Sequence, residues 1–253
     1  MPSEEVLMIQ SLTAAQRSGS RDVDASLYSG LDRAAAYRIQ TGVLTSLHET
    51  VGMLKTAVHS DGVGVVAPIY ATHVGSAPDY RVASKLVTGL EVEVGVVLAK
   101  DVPMDAELDA GALAAAVDHY FLGVEICGTR FVDRSLAGPT GGLADNMSAL
   151  GYAIGARRPL GDQIEGLRIE LEFAGTTIYS APAKHGFGTV LASLLAYARN
   201  QQAAYPLKAG TIVTTGSMCG LVQTSGGGHV VASLGADSIE FDIVWGVSDA
   251  ALP

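Results

Sequence analysis

Between Leu90 and Leu98 the chain reads LEVEVGVVL, an alternation rich in valine that suits an extended strand. Glu91 and Glu93 take alternate places in it. Residues i and i+2 of a strand project from one face, so these two carboxylates stand side by side, about 6.5–7 Å apart along the chain. Two like charges held that close repel each other unless water or a cation intervenes.

A third carboxylate, Glu125 in GVEICGTRF, follows 32 residues after Glu93 and is flanked by Val124 and Ile126. A buried, unpaired carboxylate costs several kcal/mol or takes up a proton. Two arrangements satisfy all three glutamates. In one, Glu91 and Glu93 lie on the solvent face of an edge strand while Glu125 pairs with Arg130 or Lys55. In the other they share a divalent cation. Carboxylate oxygens without Cys or His suit a hard ion, Mg²⁺ or Mn²⁺.

Composition narrows the class. The 253 residues are 48% hydrophobic and 17% charged, which is long enough and apolar enough for a well-filled core and argues against disorder. A net charge of −10 argues against a nucleic-acid partner, which needs clustered Lys and Arg. Cys127 and Cys219 belong to no CxxC pattern and read as reduced cytosolic thiols. The start MPSEEVLMIQSL lacks the basic and apolar segments of a signal peptide, and no run approaches 18 apolar residues; a cytoplasmic, membrane-free protein is expected.

Along the chain, SEEVLMIQSLTAAQRSG reads as a helix N-capped by Ser3 and ending at Gly19. A second helix carries Leu31, Ala35, Ile39, Val43 and Leu47 on one side. VGMLKTAV is a short apolar run broken by Lys55, and HSDGVGVVAPIYATHVGSAPDY reads as loop. Further helices are expected in DAELDAGALAAAVDHY and HGFGTVLASLLAYARNQQA, and a hairpin in GLRIELEFAGTTIYSAP with AGT as its turn. Glycine-separated short strands fill the tail. The expected class is α+β, a helical segment over 1–50 and a β-rich body over 51–253, together one compact domain.

The order VGMLKTAV, LEVEVGVVLAKDV, GVEICGTRFVD, GGLADNMSALGYAIG, LKAGTIVTTGS resembles the fumarylacetoacetate hydrolase superfamily. It is similar in particular to the branch of 2-keto-4-pentenoate hydratases and 2-oxo-3-hexenedioate decarboxylases. The resemblance implies a mixed β-sandwich or roll with N-terminal helices and a metal site, Mg²⁺ or Mn²⁺, at Glu91, Glu93 and Glu125. It implies a catalytic role for Lys55, beside a small 2-oxo acid, and for Asp145. Asn146 and Ser217 become substrate-binding candidates, although Asp145, Asn146 and Ser217 also suit plain turns and caps. The implied activity is hydration of a 2-oxo-alkenoic acid through a stabilised enolate, with decarboxylation as the alternative, in breakdown of aromatic compounds. A homo-oligomer is implied, as is a complex with a related hydratase or decarboxylase.

Three places depart from the pattern, one of them TSGGGHVVAS where a GD turn is expected. Ile69 in VAPIYA stands where relatives carry an acidic residue, and TAV follows Lys55 where a glycine is expected. Ile69 leaves open a non-catalytic partner subunit. The six histidines form no ligand spacing, and Arg157-Arg158 reads as a solvated pair after a helix. No serine-nucleophile elbow or phosphate-binding loop is present.

Overall fold

The structure is a computed structural model that describes residues 2–158 and 163–246. Helix α1 (Glu4–Ser18) starts at Ser3, whose hydroxyl accepts from the Val6 N–H, and stops at Gly19 in the left-handed region. Helix α2 (Arg33–Leu47) is capped by Asp32 and buries Ala35, Ile39 and Val43, three of the five stripe residues; Leu31 and Leu47 are half-buried. Three short helices follow, α3 (Ala110–Ala114), α4 (Gly138–Ala144) and α5 (Ala192–Ala198).

Among the described residues thirteen strands make up the body: β1 (Val51–Val58), β2 (Gly64–Tyr70), β3 (Val74–Ser76), β4 (Arg81–Ala83), β5 (Val87–Leu98), β6 (Val117–Gly128), β7 (Ala149–Arg158), β8 (Arg168–Phe173), β9 (Thr176–Pro182), β10 (Ile212–Ser217), β11 (Val222–Gln223), β12 (Gly228–Leu234) and β13 (Asp237–Val244). An eight-stranded mixed sheet runs β2-β1-β10-β5-β6-β7-β3, with β11 paired to β5. A five-stranded sheet runs β4-β13-β12-β8-β9. This is the α+β class that the patterning predicts, in the form of the roll with N-terminal helices that the resemblance implies.

The alternation of β5 is divided between two environments. Leu90, Val92 and Val94 pack with Leu122, Val124 and Ile126 of β6 against Val230, Ala232 and Phe241 of the second sheet. Further along the same face, Val96, Leu54 and Val213 pack under Leu12, Ile39 and Val43 of the N-terminal helices. The opposite face curls inward, bringing β2 into contact with β7. Met53, Ile69, Phe121, Ala149 and Tyr152 form a separate small core there. Glu91, Glu93 and Glu125 alternate with the apolar set, so they project to this inner side.

Several local expectations change. The stretch read as loop contains β2, all seven of whose residues are buried. Pro68 is tolerated because β2 is an outer strand of its sheet. Helix α3 has only five residues, because Val117 begins β6. Helix α5 begins only at Ala192, after a turn in which Gly188 has φ +88. Arg157 and Arg158 end strand β7 rather than following a helix, and each has an acidic partner, Asp118 and Asp237 respectively. The hairpin is β8–β9, with Ala174 and Gly175 at positive φ in its turn. No helix among the described residues is long and apolar enough to cross a membrane.

Candidate active site

Antiparallel pairing sets Glu91 of β5 directly opposite Glu125 of β6. Like charges in that position are destabilising unless something sits between them. Lys55 of β1 does: its Nζ lies 2.6 Å from Glu125 Oε1 and 3.6 Å from Glu91 Oε2. Of the two partners expected for Glu125, Lys55 is therefore the one found. Arg130 instead pairs with Asp145.

The lysine is positioned from both ends. Its strand is parallel to β10, with Lys55 in register with Thr214, and its Nζ also donates to the Met147 carbonyl at 3.3 Å. That carbonyl is presented by three consecutive residues in the left-handed region, Asn146, Met147 and Ser148, with φ of 51, 52 and 63. Such backbone costs of order 1–3 kcal/mol per residue and persists only where its surroundings enforce it.

Glu93 is fully buried, two residues along β5 from Glu91 on the same face, and lies outside the group of ligand atoms formed by Glu91, Glu125 and Cys127. Thr214 Oγ1 donates to Glu93 Oε2 and lies 3.3 Å from the Tyr152 hydroxyl. Tyr152 reaches this place by lying over Gly123, where a Cβ would stand 2.3–2.5 Å from its ring and hydroxyl. Burial pushes Glu93 well above the usual carboxylate range, and the charges of Glu125 and Glu91 add to this. Burial also raises Glu125, which Lys55 partly offsets, leaving it at about 7. Desolvation pulls Lys55 down, yet Glu125 and Glu91 outweigh it and hold the ammonium well above its ordinary value.

The donor set fits a divalent cation. Glu93 Oε1 and Glu125 Oε2 are buried without a hydrogen-bond partner. Ligand atoms of Glu91, Glu125 and Cys127 all lie within 4.8 Å of one another. Cys127, which reads as an ordinary thiol from the sequence, thus joins the group. Its position two residues after Glu125 on one strand is the signal that could have found it.

The remaining candidates divide. Asp145 is buried and fully engaged: it accepts from Thr129 and from the Arg130 side chain and backbone. Its contacts anchor the loop that presents Met147. Asn146 donates to the Tyr70 hydroxyl at 3.0 Å, and its Oδ1 is buried without a partner. Ser217 is in register with Glu93 and closes a turn, bonding the Gly220 carbonyl at 3.1 Å and the Cys219 N–H at 3.2 Å. Ile69 belongs to the small core with Tyr152, so the position where the resemblance implies an acidic residue is here an apolar packing position. A cleft of about 820 Å³ lies elsewhere, between α1, α2 and residues 202–205, and touches none of these groups.

Comparison with known proteins agrees with the fold. Residues 57–244 match the fumarylacetoacetate (FAA) hydrolase C-terminal family. The chain belongs to that family. No curated protein sequence matches it. Among solved structures it is similar to 4-oxalocrotonate decarboxylase from Pseudomonas putida G7, complexed with magnesium and adipate. The TM-score is 0.78 at 18% identity, over 95% of this chain and 97% of that one. It is also similar to 2-hydroxyhepta-2,4-diene-1,7-dioate isomerase from Mycobacterium marinum, with TM-score 0.54 at 13% identity over 78% and 76%. At these identities the likeness is one of fold.

Proposed function

We propose that this chain is a divalent-cation-dependent lyase acting on a small 2-oxo-alkenoic acid. The observation that carries the reading is the convergence of Glu91, Glu125 and Lys55, beside buried Glu93, with two carboxylate oxygens left unpartnered. Glu91, Glu93 and Glu125 are the residues that would hold the Mg²⁺ or Mn²⁺. Such an ion, when bound, acts as a Lewis acid toward a 2-oxo acid and favours charge build-up on its keto oxygen.

The chain's own groups complement that. Lys55 keeps its proton and presents a fixed positive charge where negative charge develops in an enolate-like transition state. Met147 and Glu125 orient the ammonium, so little reorganisation accompanies the reaction. Tyr152, Phe121, Met53 and Ile69 form an apolar floor that keeps water away and strengthens these interactions. Glu91 is the half-buried member of the three carboxylates, the one that solvent reaches. Asp145 acts as a positioning residue through the loop it anchors.

Hydration and decarboxylation share all of this and differ in the proton transfers that follow. Decarboxylation draws support from the near-complete mutual coverage with 4-oxalocrotonate decarboxylase. The test is an ultraviolet assay with 2-hydroxydienoates of five or six carbons, with and without a second carboxylate, after chelation and re-addition of Mg²⁺ or Mn²⁺. Metal-dependent turnover that is lost in Lys55→Met is expected, with released CO₂ or a 4-hydroxy-2-oxo acid identifying the reaction. Absence of turnover with every substrate and metal, in a chain that binds the metal, would point instead to a non-catalytic partner subunit.

A further inference from the structure

We infer that Cys127 is a sulfur donor to the carboxylate centre, so that this chain selects a borderline transition-metal dication, Co²⁺, Zn²⁺ or Fe²⁺, over Mg²⁺ more strongly than three carboxylates would. The inference rests on the reading of that centre as a dication site and concerns which cation it takes.

Three observations support it. Cys127 Sγ is 3.6 Å from Glu125 Oε1, and both side chains are buried. The ligand atoms of Glu91, Glu125 and Cys127 fall within 4.8 Å of one another, a spread that small side-chain shifts bring within the about 4–4.6 Å that one ion spans with bonds of about 2.0–2.3 Å. Glu125 Oε1 is taken by Lys55, while its Oε2 and the neighbouring Glu93 Oε1 have no partner. An unsatisfied, fully buried oxygen of Glu125 beside a thiol, with Glu91 in the same group, makes a mixed oxygen–sulfur donor set. A thiolate is a poor ligand for Mg²⁺, which takes oxygen, and a good one for Zn²⁺ and its neighbours. Binding replaces the S–H bond with a metal–sulfur bond and releases one proton to solvent, with no change of oxidation state.

The other cysteine provides the control. Cys219 lies in the Ser217 turn, where it donates to the Gly220 carbonyl, and it is not part of the converging set.

The experiment is a Co²⁺ titration of the chelator-stripped full chain, read by near-ultraviolet absorption, with calorimetry of Co²⁺ and Mg²⁺ in parallel. A thiolate-to-cobalt charge-transfer band is expected in the unaltered chain and in Cys219→Ser, and is expected to vanish in Cys127→Ser. In Cys127→Ser the ratio of Co²⁺ to Mg²⁺ affinity should fall by about tenfold or more, with Mg²⁺ affinity little changed. Co²⁺ binding that needs Glu125, yet gives no band and is unaltered in Cys127→Ser, overturns the sulfur donor and leaves the carboxylate site standing. No binding of Co²⁺, Mg²⁺ or Mn²⁺ overturns both. The band in the unaltered chain needs no variant to fold.

Discussion

The Lys55 ammonium lies 2.6 Å from Glu125 and 3.6 Å from Glu91, spanning two carboxylates that face each other across adjacent strands. One cationic side chain thus compensates a pair that pairing geometry would otherwise set in repulsion. Together with buried Glu93, three acids and one base share the inner side of the roll. That excess of negative charge has measurable consequences.

Replacing Lys55 with Met removes the compensating charge and leaves Glu125 buried without it. Losing one partner of a buried pair costs about 3–5 kcal/mol, less whatever is recovered when a carboxylate takes up a proton. Urea unfolding of the metal-free chain should show this loss. Added Mn²⁺ should restore more stability to Lys55→Met than it adds to the unaltered chain. Equal stability of the two metal-free proteins would mean that the pair contributes nothing.

Glu93→Gln should separate stability from binding. The carboxyl of Glu93 is pushed up by burial and by Glu125 and Glu91, so the folded chain holds its proton more tightly than the unfolded chain does. Native protein then binds more protons than unfolded protein above the ordinary value of 4.5, and stability falls as pH rises through that value. The glutamine variant lacks this loss. Metal-free Glu93→Gln is therefore expected to be at least as stable at pH 7 as the unaltered chain, while its Mn²⁺ affinity drops about tenfold. Calorimetry and pH-dependent denaturation read the two effects independently.

Gly123→Ala would set a Cβ within 2.3–2.5 Å of the Tyr152 ring and hydroxyl. Tyr152 is fully buried and has nowhere to retreat without disturbing Thr214 and Glu93. Overpacking of this kind costs about 1–3 kcal/mol. Gly30→Ala, with nothing within 4 Å, serves as the comparison and should be neutral within ~0.5 kcal/mol. A Gly123→Ala chain as stable as Gly30→Ala in denaturant would contradict this packing.

His185 is expected to steepen the loss of stability on the acid side. Burial depresses its pKa to about 4, and its Nδ1 accepts from the Phe187 N–H at 3.2 Å. A proton on Nδ1 would face that N–H, so the folded chain resists it. The unfolded chain binds the proton below the ordinary value of 6.5, so stability is fully present above that and is lost as pH falls toward 4. After allowance for solvent near the ring, the loss amounts to about 1–2 kcal/mol. His185→Gln keeps an acceptor and should flatten this part of the stability profile. A profile as steep as that of the unaltered chain would refute the assignment.

Much of this architecture was legible in the residues. Ser3 and Gly19 bound α1 because capping is local chemistry, and Ala35, Ile39 and Val43 mark the buried side of α2 because its period is local too. The hairpin turn at Ala174-Gly175 is likewise a short-range matter. Strand β2 was not legible. Its glycine and proline punctuation reads as loop, and only its outer place in the sheet makes Pro68 acceptable. The site was half legible. Glu91 and Glu93 belong together on the evidence of alternation alone, whereas Cys127 looks like any buried thiol until its neighbours are known.

The amino-acid order by itself determined that β5 has an apolar side and an acidic side, because side-chain direction in a strand follows from position. It also determined that the acids were too many to bury without compensation. Only the tertiary structure decided which groups meet. Strand register sets Glu91 against Glu125, and the parallel pairing of β1 with β10 carries Lys55 to them across 70 residues of chain. Register is chosen by which apolar face is buried, and a slip of one residue would turn every carboxylate to the other side.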